Sequence, residues 1–169
     1  MEPLTTYRAK GKEIGLVFLF KYDLMGNLRL FEICEGVLNP EQRKWLLTGY
    51  LPENAEFQNG KELLAQLEPR FPHEENIMKT IWMKLKKYLK VFEIEVSPAD
   101  LSFEALWILY DYKESKKKAE NLFNRLSEEQ KIKCFIQVPK YKKKLAKGTI
   151  AQALLSSWLS QERFNDEYQ

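Results

Sequence analysis

The sequence contains few of the residues from which catalytic and metal sites are commonly built. His73 is the single histidine among 169 residues, and Cys34 and Cys134 are the two cysteines. The cysteines lie far apart and in no zinc-ligand spacing, and no histidine stands near them to activate a nucleophile. Free thiols in a chain rich in Lys and Glu are typical of a reducing cytoplasm. We therefore predict a cytoplasmic protein that is not an enzyme and holds no metal.

Glycine and long apolar runs are also scarce. The seven glycines are scattered, so the chain has no glycine-rich loop of the kind that cradles a nucleotide phosphate. The longest apolar run is Ile14–Phe20, which is far shorter than the roughly 20 residues that span a bilayer. Lys21 follows it, without the small-residue cleavage site of a signal peptide. These patterns predict no cofactor, no membrane segment and no export.

What the sequence does contain is enough apolar material for a folded core. Apolar residues make up 44% of the chain, and aromatic residues 13%. A chain near 150 residues buries about 68–70% of the surface that its unfolded form would expose. We expect one domain, or two small ones.

The N-terminal half shows strand patterns. Residues 1–12 read as a polar lead-in, and two runs rich in β-branched and aromatic residues, 14–22 and 28–34, flank Asp23–Asn27, which predicts an antiparallel hairpin. A third strand is expected over Val91–Val96, as the partner of this hairpin. Four further elements are predicted: a helix capped by Asn39 and Pro40, a loop over 51–59, a short helix over 60–67, and a helix over 74–90.

Ser97 and Pro98 interrupt the strand pattern, and beyond them the apolar spacing is helical. Ser127 and Gln130 form the pattern of a capping box, Pro139 is expected to end or kink that helix, and Thr149 to cap a last helix. The fold class is therefore α+β, with an N-terminal antiparallel hairpin plus third strand packed on helices over 1–97, and a basic C-terminal helical bundle over 98–169. The predicted bundle core is Trp107, Tyr110, Leu122, Phe123, Leu126, Phe135, Leu154 and Trp158.

Positive charge is concentrated between Tyr112 and Lys147. Twelve Lys and Arg residues stand there against four Glu, a net charge of +8 in a chain whose net charge is +3. Segregated charge creates a local field that attracts polyanions. On a helical wheel, Lys117, Lys118 and Arg125 lie opposite the apolar side formed by Ala119 and Phe123. The candidate nucleic-acid-binding residues are Lys113, Lys117, Lys118, Arg125, Lys140, Tyr141, Lys142, Lys143, Lys144 and Lys147.

Each of these assignments has a simpler alternative. A lysine-rich helix face is often only a solvated surface, and Tyr141 either stacks on an unpaired base or packs against Leu145 or Phe135. Glu93 and Glu95 share one face of a predicted strand. They are better explained as charges on an edge strand than as metal ligands.

The C-terminal half resembles the helical tail of phage and prophage replication proteins of the replisome-organiser or helicase-loader type. The residues that carry the resemblance are Trp107, Tyr110, Lys113, Lys116, Ala119, Phe123, Leu126, Ser127, Tyr141, Leu154, Leu159 and the run Arg163-Phe164-Asn165-Asp166-Glu167. The N-terminal half looks like small phage-borne proteins. The resemblance implies an origin in a mobile element and a nucleic-acid setting.

Two functions from different classes follow. The first is a non-enzymatic accessory protein that binds DNA or RNA weakly and without sequence preference, through the basic helical face. The second is a phage-encoded inhibitor that binds a host nuclease or another nucleic-acid-processing protein. The salt dependence of binding to random nucleic acid separates the two.

Overall fold

The computed structural model describes residues 2–49, 59, 70–148 and 150–168. The chain divides into two compact units, an N-terminal unit over Thr5–Ser97 and a C-terminal unit that runs from Pro98 onward and includes the residues before Thr5. The predicted loop over 51–58, the predicted helix over 60–67 and the predicted cap Thr149 lie outside the described residues.

The N-terminal unit is built on a four-stranded antiparallel sheet. Its strands are β1 (Thr5–Gly11), β2 (Val17–Tyr22), β3 (Leu28–Glu35) and β4 (Phe92–Ser97). Their spatial order is β3-β2-β1-β4. The predicted α+β class and the hairpin of β2 and β3 are confirmed. At the hairpin turn, the buried Asp23 carboxylate accepts hydrogen bonds from the N–H groups of Met25 and Asn27, both at 2.9 Å.

Two sequence predictions about this sheet were wrong. The polar lead-in contains β1, and β4 pairs with β1 rather than with the hairpin. Strand β1 alternates buried Tyr7 and Ala9 with Arg8 and Lys10. Two apolar side chains give too weak a period-two signal to mark a strand, although the strand is paired on both sides.

Helical segments pack on one face of the sheet. Helix α1 (Pro40–Leu47) starts with the predicted cap, in which Asn39 and Gln42 bond each other's backbone N–H groups. The aromatic side chains of the two layers form one cluster, in which Trp82 stacks on Phe92 at a centroid distance of 4.9 Å. The buried members of this core are Tyr7, Ala9, Leu16, Phe18, Phe20, Tyr22, Leu46, Met78, Trp82, Tyr88 and Phe92.

The single helix predicted over 74–90 is broken. Helix α2 (Glu75–Ile77) continues as a π-helical turn (Met78–Trp82), and after an extended Leu85 the chain forms α3 (Lys86–Val91). A π-helical turn holds one extra residue, which rotates the following side chains by about 100°. The break allows both Trp82 and Tyr88 to be buried.

The C-terminal unit contains only helices and loops among its described residues. Its helices are α4 (Phe103–Tyr110), α5 (Lys116–Asn124), α6 (Glu128–Lys147) and α7 (Leu155–Ser160), followed by a 3-10 turn (Arg163–Asn165). The capping box of Ser127 and Gln130 is present at the start of α6. Of the predicted core, Trp107, Tyr110, Phe123, Phe135 and Trp158 are buried, whereas Leu122, Leu126 and Leu154 are half-buried.

The structure excludes one of the two outcomes expected at Pro139 and places the start of the last helix later than predicted. Helix α6 continues through Pro139, because the buried Phe135 and Tyr141 on either side stabilise the helix by about 1.5–3 kcal/mol each, against a cost of about 3 kcal/mol for an interior proline. The last helix begins at Leu155 and not near Thr149. The described residues before it are not helical, and two tyrosine hydroxyls bond the backbone of Ala153 there.

Candidate nucleic-acid interface

Helix α5 places its basic residues outward. Ala119 and Phe123 are buried, which fixes the side of the helix that faces the core. Lys117, Lys118 and Arg125 are exposed on the remaining surface, together with Asn121 and Asn124. Lys113, in the loop before the helix, is also exposed. The orientation expected from the helical wheel is therefore the one observed.

Four of these side chains surround a shallow depression of about 460 Å³. Its lining is Lys117, Lys118, Asn121, Leu122 and Arg125. Ammonium, guanidinium and amide groups all supply N–H donors, which is the chemistry that phosphate oxygens accept. The helical wheel places Asn121 in the same outward row of cations and amides, although it was not among the candidate site residues, and Leu122 was expected in the core. The signal was present in the spacing, because Lys117, Asn121 and Arg125 follow one another at four-residue intervals.

The charge on this surface is not neutralised by neighbouring acids. Lys116 forms an ion pair with Glu104 at 2.6 Å. In contrast, Lys113, Lys117, Lys118 and Arg125 form no ion pair with any residue that the structure describes. The first turn of α5 also contains no acidic residue, and the positive end of the helix dipole adds to the lysine charges there. The cations around the depression therefore carry charge that no ion pair offsets within the described part of the chain.

Helix α6 carries a second basic surface, which we call the α6 stripe: Lys140, Lys143, Lys144 and Lys147. These lysines have the spacing i, i+3, i+4 and i+7, which places them on one side of a helix, and all four are exposed. The Nζ atom of Lys144 lies 5.7 Å from the ring centroid of Tyr168, within the range of a cation–π contact. Lys140, Lys143 and Lys147 are exposed and form no ion pair with the described residues, so these three are available to an anionic ligand.

Lys142 does not belong to the α6 stripe, although it lies within the same sequence run. It is half-buried, and its Nζ atom donates a hydrogen bond of 3.1 Å to the carbonyl oxygen of Leu109 in the last turn of α4. Its position on α6 is about 200° from Lys140, which directs it toward the core side. Lys142 thus has a structural role, and we do not include it in the interface.

Tyr141 is part of the core. Its side chain is 5% exposed, its ring stacks on Tyr110 at a centroid distance of 6.2 Å, and its hydroxyl accepts a hydrogen bond of 3.0 Å from the Ala153 N–H. Burial, followed by the neighbouring Tyr141, raises the pKa of Tyr110 well above its usual range. The ring of Tyr141 is therefore covered, as the packing alternative expected, but its ring partners are Tyr110, Trp158 and Tyr168 rather than Leu145 or Phe135.

The two glutamates of β4 face basic residues of β1 across the sheet. Strand β4 is an edge strand, and its register places Glu93 opposite Lys10 and Glu95 opposite Arg8 on β1. Opposite charges at facing positions stabilise an antiparallel pair. No group of three His, Cys, Asp or Glu side chains in the described part of the chain is arranged to hold a metal ion. No helix within that part is long and apolar enough to cross a membrane.

The N-terminal unit has a cavity of about 470 Å³ with a different character. Its lining is mainly aromatic and aliphatic, with Trp45, Tyr88 and Phe92 among its members. Its two cations contact aromatic rings: Arg70 lies 5.7 Å from the centroid of Trp45, and Lys87 lies 5.6 Å from that of Tyr88. This cavity offers mainly apolar surface rather than a row of N–H groups that could donate hydrogen bonds to phosphate oxygens.

Comparison with known proteins gives one match. Residues 98–162 match a family model described as the Legionella vir region protein LvrA C-terminal domain. No curated protein and no solved structure matches the chain. The match begins at Pro98, the residue at which the C-terminal unit begins. The helical unit that carries both basic surfaces is therefore similar to the C-terminal domain of a vir region protein.

Proposed function

We propose that this chain is a non-enzymatic accessory protein of a mobile element that binds nucleic acid through its C-terminal unit. The observation that carries the proposal is the depression on α5, where Lys117, Lys118 and Arg125 are exposed and form no ion pair with the described residues. The resemblance to phage replication proteins and the similarity to a vir region domain support a setting in which nucleic acid is the available polyanion.

The magnitude of the effect follows from counterion release. Each phosphate that a cation neutralises adds about −0.9 to the slope of log K against log salt for duplex DNA. Three cations on α5 therefore contribute a slope of about −2.7. Contacts of this kind are sequence-independent, so we expect weak binding that is lost at high salt.

Charge reversal on α5 tests the proposal. We expect the triple variant Lys117→Glu, Lys118→Glu, Arg125→Glu to lose binding to nucleic acid of random sequence, measured by fluorescence anisotropy at low salt. The three side chains are exposed, so the thermal unfolding transition should change little. A parallel triple reversal on the α6 stripe, Lys140→Glu, Lys143→Glu and Lys147→Glu, measures the contribution of the second surface. Lys142 is left unchanged because it bonds Leu109.

A matched control separates a local surface from overall charge. Lys84, Lys86 and Lys90 are exposed lysines of the N-terminal unit, and their reversal changes the net charge of the protein by the same amount. We expect this control to retain most of the binding. An equal loss of binding in the α5 triple variant and in this control would refute a specific surface on α5.

Failure of the wild-type protein to bind any nucleic acid at low salt would reject the proposal. The inhibitor hypothesis would then lead, with a host nuclease or another nucleic-acid-processing protein as the partner. In that case the α5 cations would contact acidic protein surface. Purified candidate partners, tested with the same triple variants, would measure that contact directly.

A further inference from the structure

The positions of the aromatic side chains indicate which form of nucleic acid the basic surfaces accept. Proteins that hold single strands stack the bases on exposed aromatic rings, and each stacked base contributes about 1–3 kcal/mol. All ten aromatic residues of the C-terminal unit lie within its described part. None of them is exposed: eight are buried, and Tyr112 and Tyr168 are half-buried.

The half-buried side chain of Tyr168 already contacts other residues of the C-terminal unit through both its hydroxyl and its ring. Its hydroxyl accepts a hydrogen bond from the Trp158 indole N–H at 3.2 Å and donates one to the Arg163 carbonyl at 3.0 Å. Its ring lies 5.5 Å from that of Tyr141, and the ammonium of Lys144 lies over it. Burial raises the pKa of Tyr168 to about 12. Tyr112, in the loop after α4, is then the remaining aromatic that could meet a base.

The donors on α5 suit a duplex. Lys117 and Arg125, with Asn121 between them, are eight positions apart, which is about 12 Å along a helix that rises 1.5 Å per residue. An α-helix with its side chains is about 10–12 Å across, and the major groove of B-form DNA, about 12 Å wide, admits such a helix. The major groove of A-form RNA is too narrow for side chains to enter. Duplex DNA also carries the higher charge density, and each neutralised phosphate is worth more there than on a single strand.

We propose that the α5 surface binds the phosphate backbone of double-stranded DNA in preference to single strands and to duplex RNA. This inference rests on the proposed function, because it names the ligand class of the same surface. For three contacts, the slope of log K against log salt is about −2.7 for duplex DNA and about −2.1 for single strands. Between 1 M and 20 mM salt, this difference raises the affinity for duplex relative to the affinity for single strands by about tenfold. Within the described part of the C-terminal unit, no exposed aromatic ring offers a base stack that would offset that preference.

The experiment compares three probes of one sequence, each about 20 nucleotides long: duplex DNA, one of its strands, and duplex RNA. Full-length protein is titrated against each labelled probe by fluorescence anisotropy at 20 mM salt and upward. We expect duplex DNA to bind about tenfold more tightly than the single strand, with the steeper salt dependence. Lys117→Gln, Lys118→Gln and Arg125→Gln together should reduce the duplex slope by about 2.7.

Tyr112→Ala is the decisive companion variant. It should leave all three affinities unchanged, because the proposed contacts are made to phosphate groups by the α5 side chains and none is made to a base by this ring. Single strands that bind as tightly as duplex DNA, a loss of single-strand affinity in Tyr112→Ala, or RNA duplexes that bind as tightly as DNA would each overturn the inference. These results would leave the proposed function standing, because nucleic acid would still bind. An absence of binding to every probe would overturn both.

Discussion

The hydroxyl groups of Tyr110 and Tyr141 both form hydrogen bonds with the backbone of Ala153. The Tyr110 hydroxyl donates to the carbonyl oxygen of Ala153 at 2.6 Å, and the Tyr141 hydroxyl accepts from the N–H of Ala153 at 3.0 Å. The two rings are stacked with an interplanar angle of 17°. The segment before α7 is therefore bonded to both α4 and α6 at Ala153, and the side-chain amide of Gln152 adds a hydrogen bond of 2.8 Å to the Tyr110 carbonyl oxygen.

Removal of one hydroxyl should show the strength of this connection. Tyr141→Phe keeps the ring but leaves the Ala153 N–H without its acceptor, which should lower the free energy of unfolding by about 1–3 kcal/mol. Tyr112→Phe is the control: this side chain forms no hydrogen bond with the residues that the structure describes, and its change should stay within about 0.5 kcal/mol. Urea unfolding followed by tryptophan fluorescence measures both. Equal stabilities for Tyr141→Phe and wild type would show that the hydrogen bond does not form.

The two serine caps of neighbouring helices should respond in opposite directions. Ser127 accepts a hydrogen bond from the Gln130 N–H at 3.2 Å, so Ser127→Ala should destabilise the protein by about 0.5–2 kcal/mol. Ser115, before α5, makes no side-chain cap bond and has a positive φ of 58°. Ser115→Gly removes the steric cost of that conformation, about 1 kcal/mol. This variant should therefore stabilise the protein. Thermal melts of the two variants should move in opposite directions, and a common direction would contradict the cap geometry.

The buried Cys134 thiol should make stability fall at alkaline pH. Burial raises its pKa to about 12, from a usual value of 9.0. The folded chain therefore retains this proton where the unfolded chain loses it. The stability contribution of the thiol is complete below pH 9 and is lost as the pH rises toward 12, at about 1.4 kcal/mol per pH unit.

Two cysteine variants isolate this effect from the buried tyrosines, which act in the same direction. Urea melts from pH 8 to pH 11 should show a smaller alkaline loss in Cys134→Ala than in wild type. Cys34→Ala should follow the wild-type curve, because Cys34 is exposed. A Cys134→Ala curve parallel to wild type would indicate that the thiol ionises without unfolding.

Local signals in the sequence located the elements that depend on neighbouring residues. Asn39 with Gln42 and Ser127 with Gln130 form their caps as the pattern predicts, because a capping box needs only side chains three residues apart. The outward direction of Lys117 and Arg125 likewise follows from helical periodicity. The α+β class followed from the change of apolar period near Pro98.

Features that depend on distant contacts could not be predicted in this way. Strand β1 has a weak pattern and exists because β2 and β4 bond it on both sides. The run Lys142-Lys143-Lys144 looks uniform in sequence, yet Lys142 alone reaches the Leu109 carbonyl. The burial of Tyr141 depends on Ala153 and on rings from three other segments. The candidate site could therefore be located from charge, but its members had to be selected by the tertiary structure.

The sheet order has a consequence for the time course of folding. Strand β1 occupies an interior position, but one of its two partners, β4, follows it by more than 80 residues. During synthesis, one edge of β1 therefore stays unpaired until Ser97 has left the ribosome. Such non-local pairing slows folding and leaves a strand edge open to other chains. We expect fusion of a bulky partner before Thr5 to lower the yield of folded protein more strongly than fusion after Tyr168.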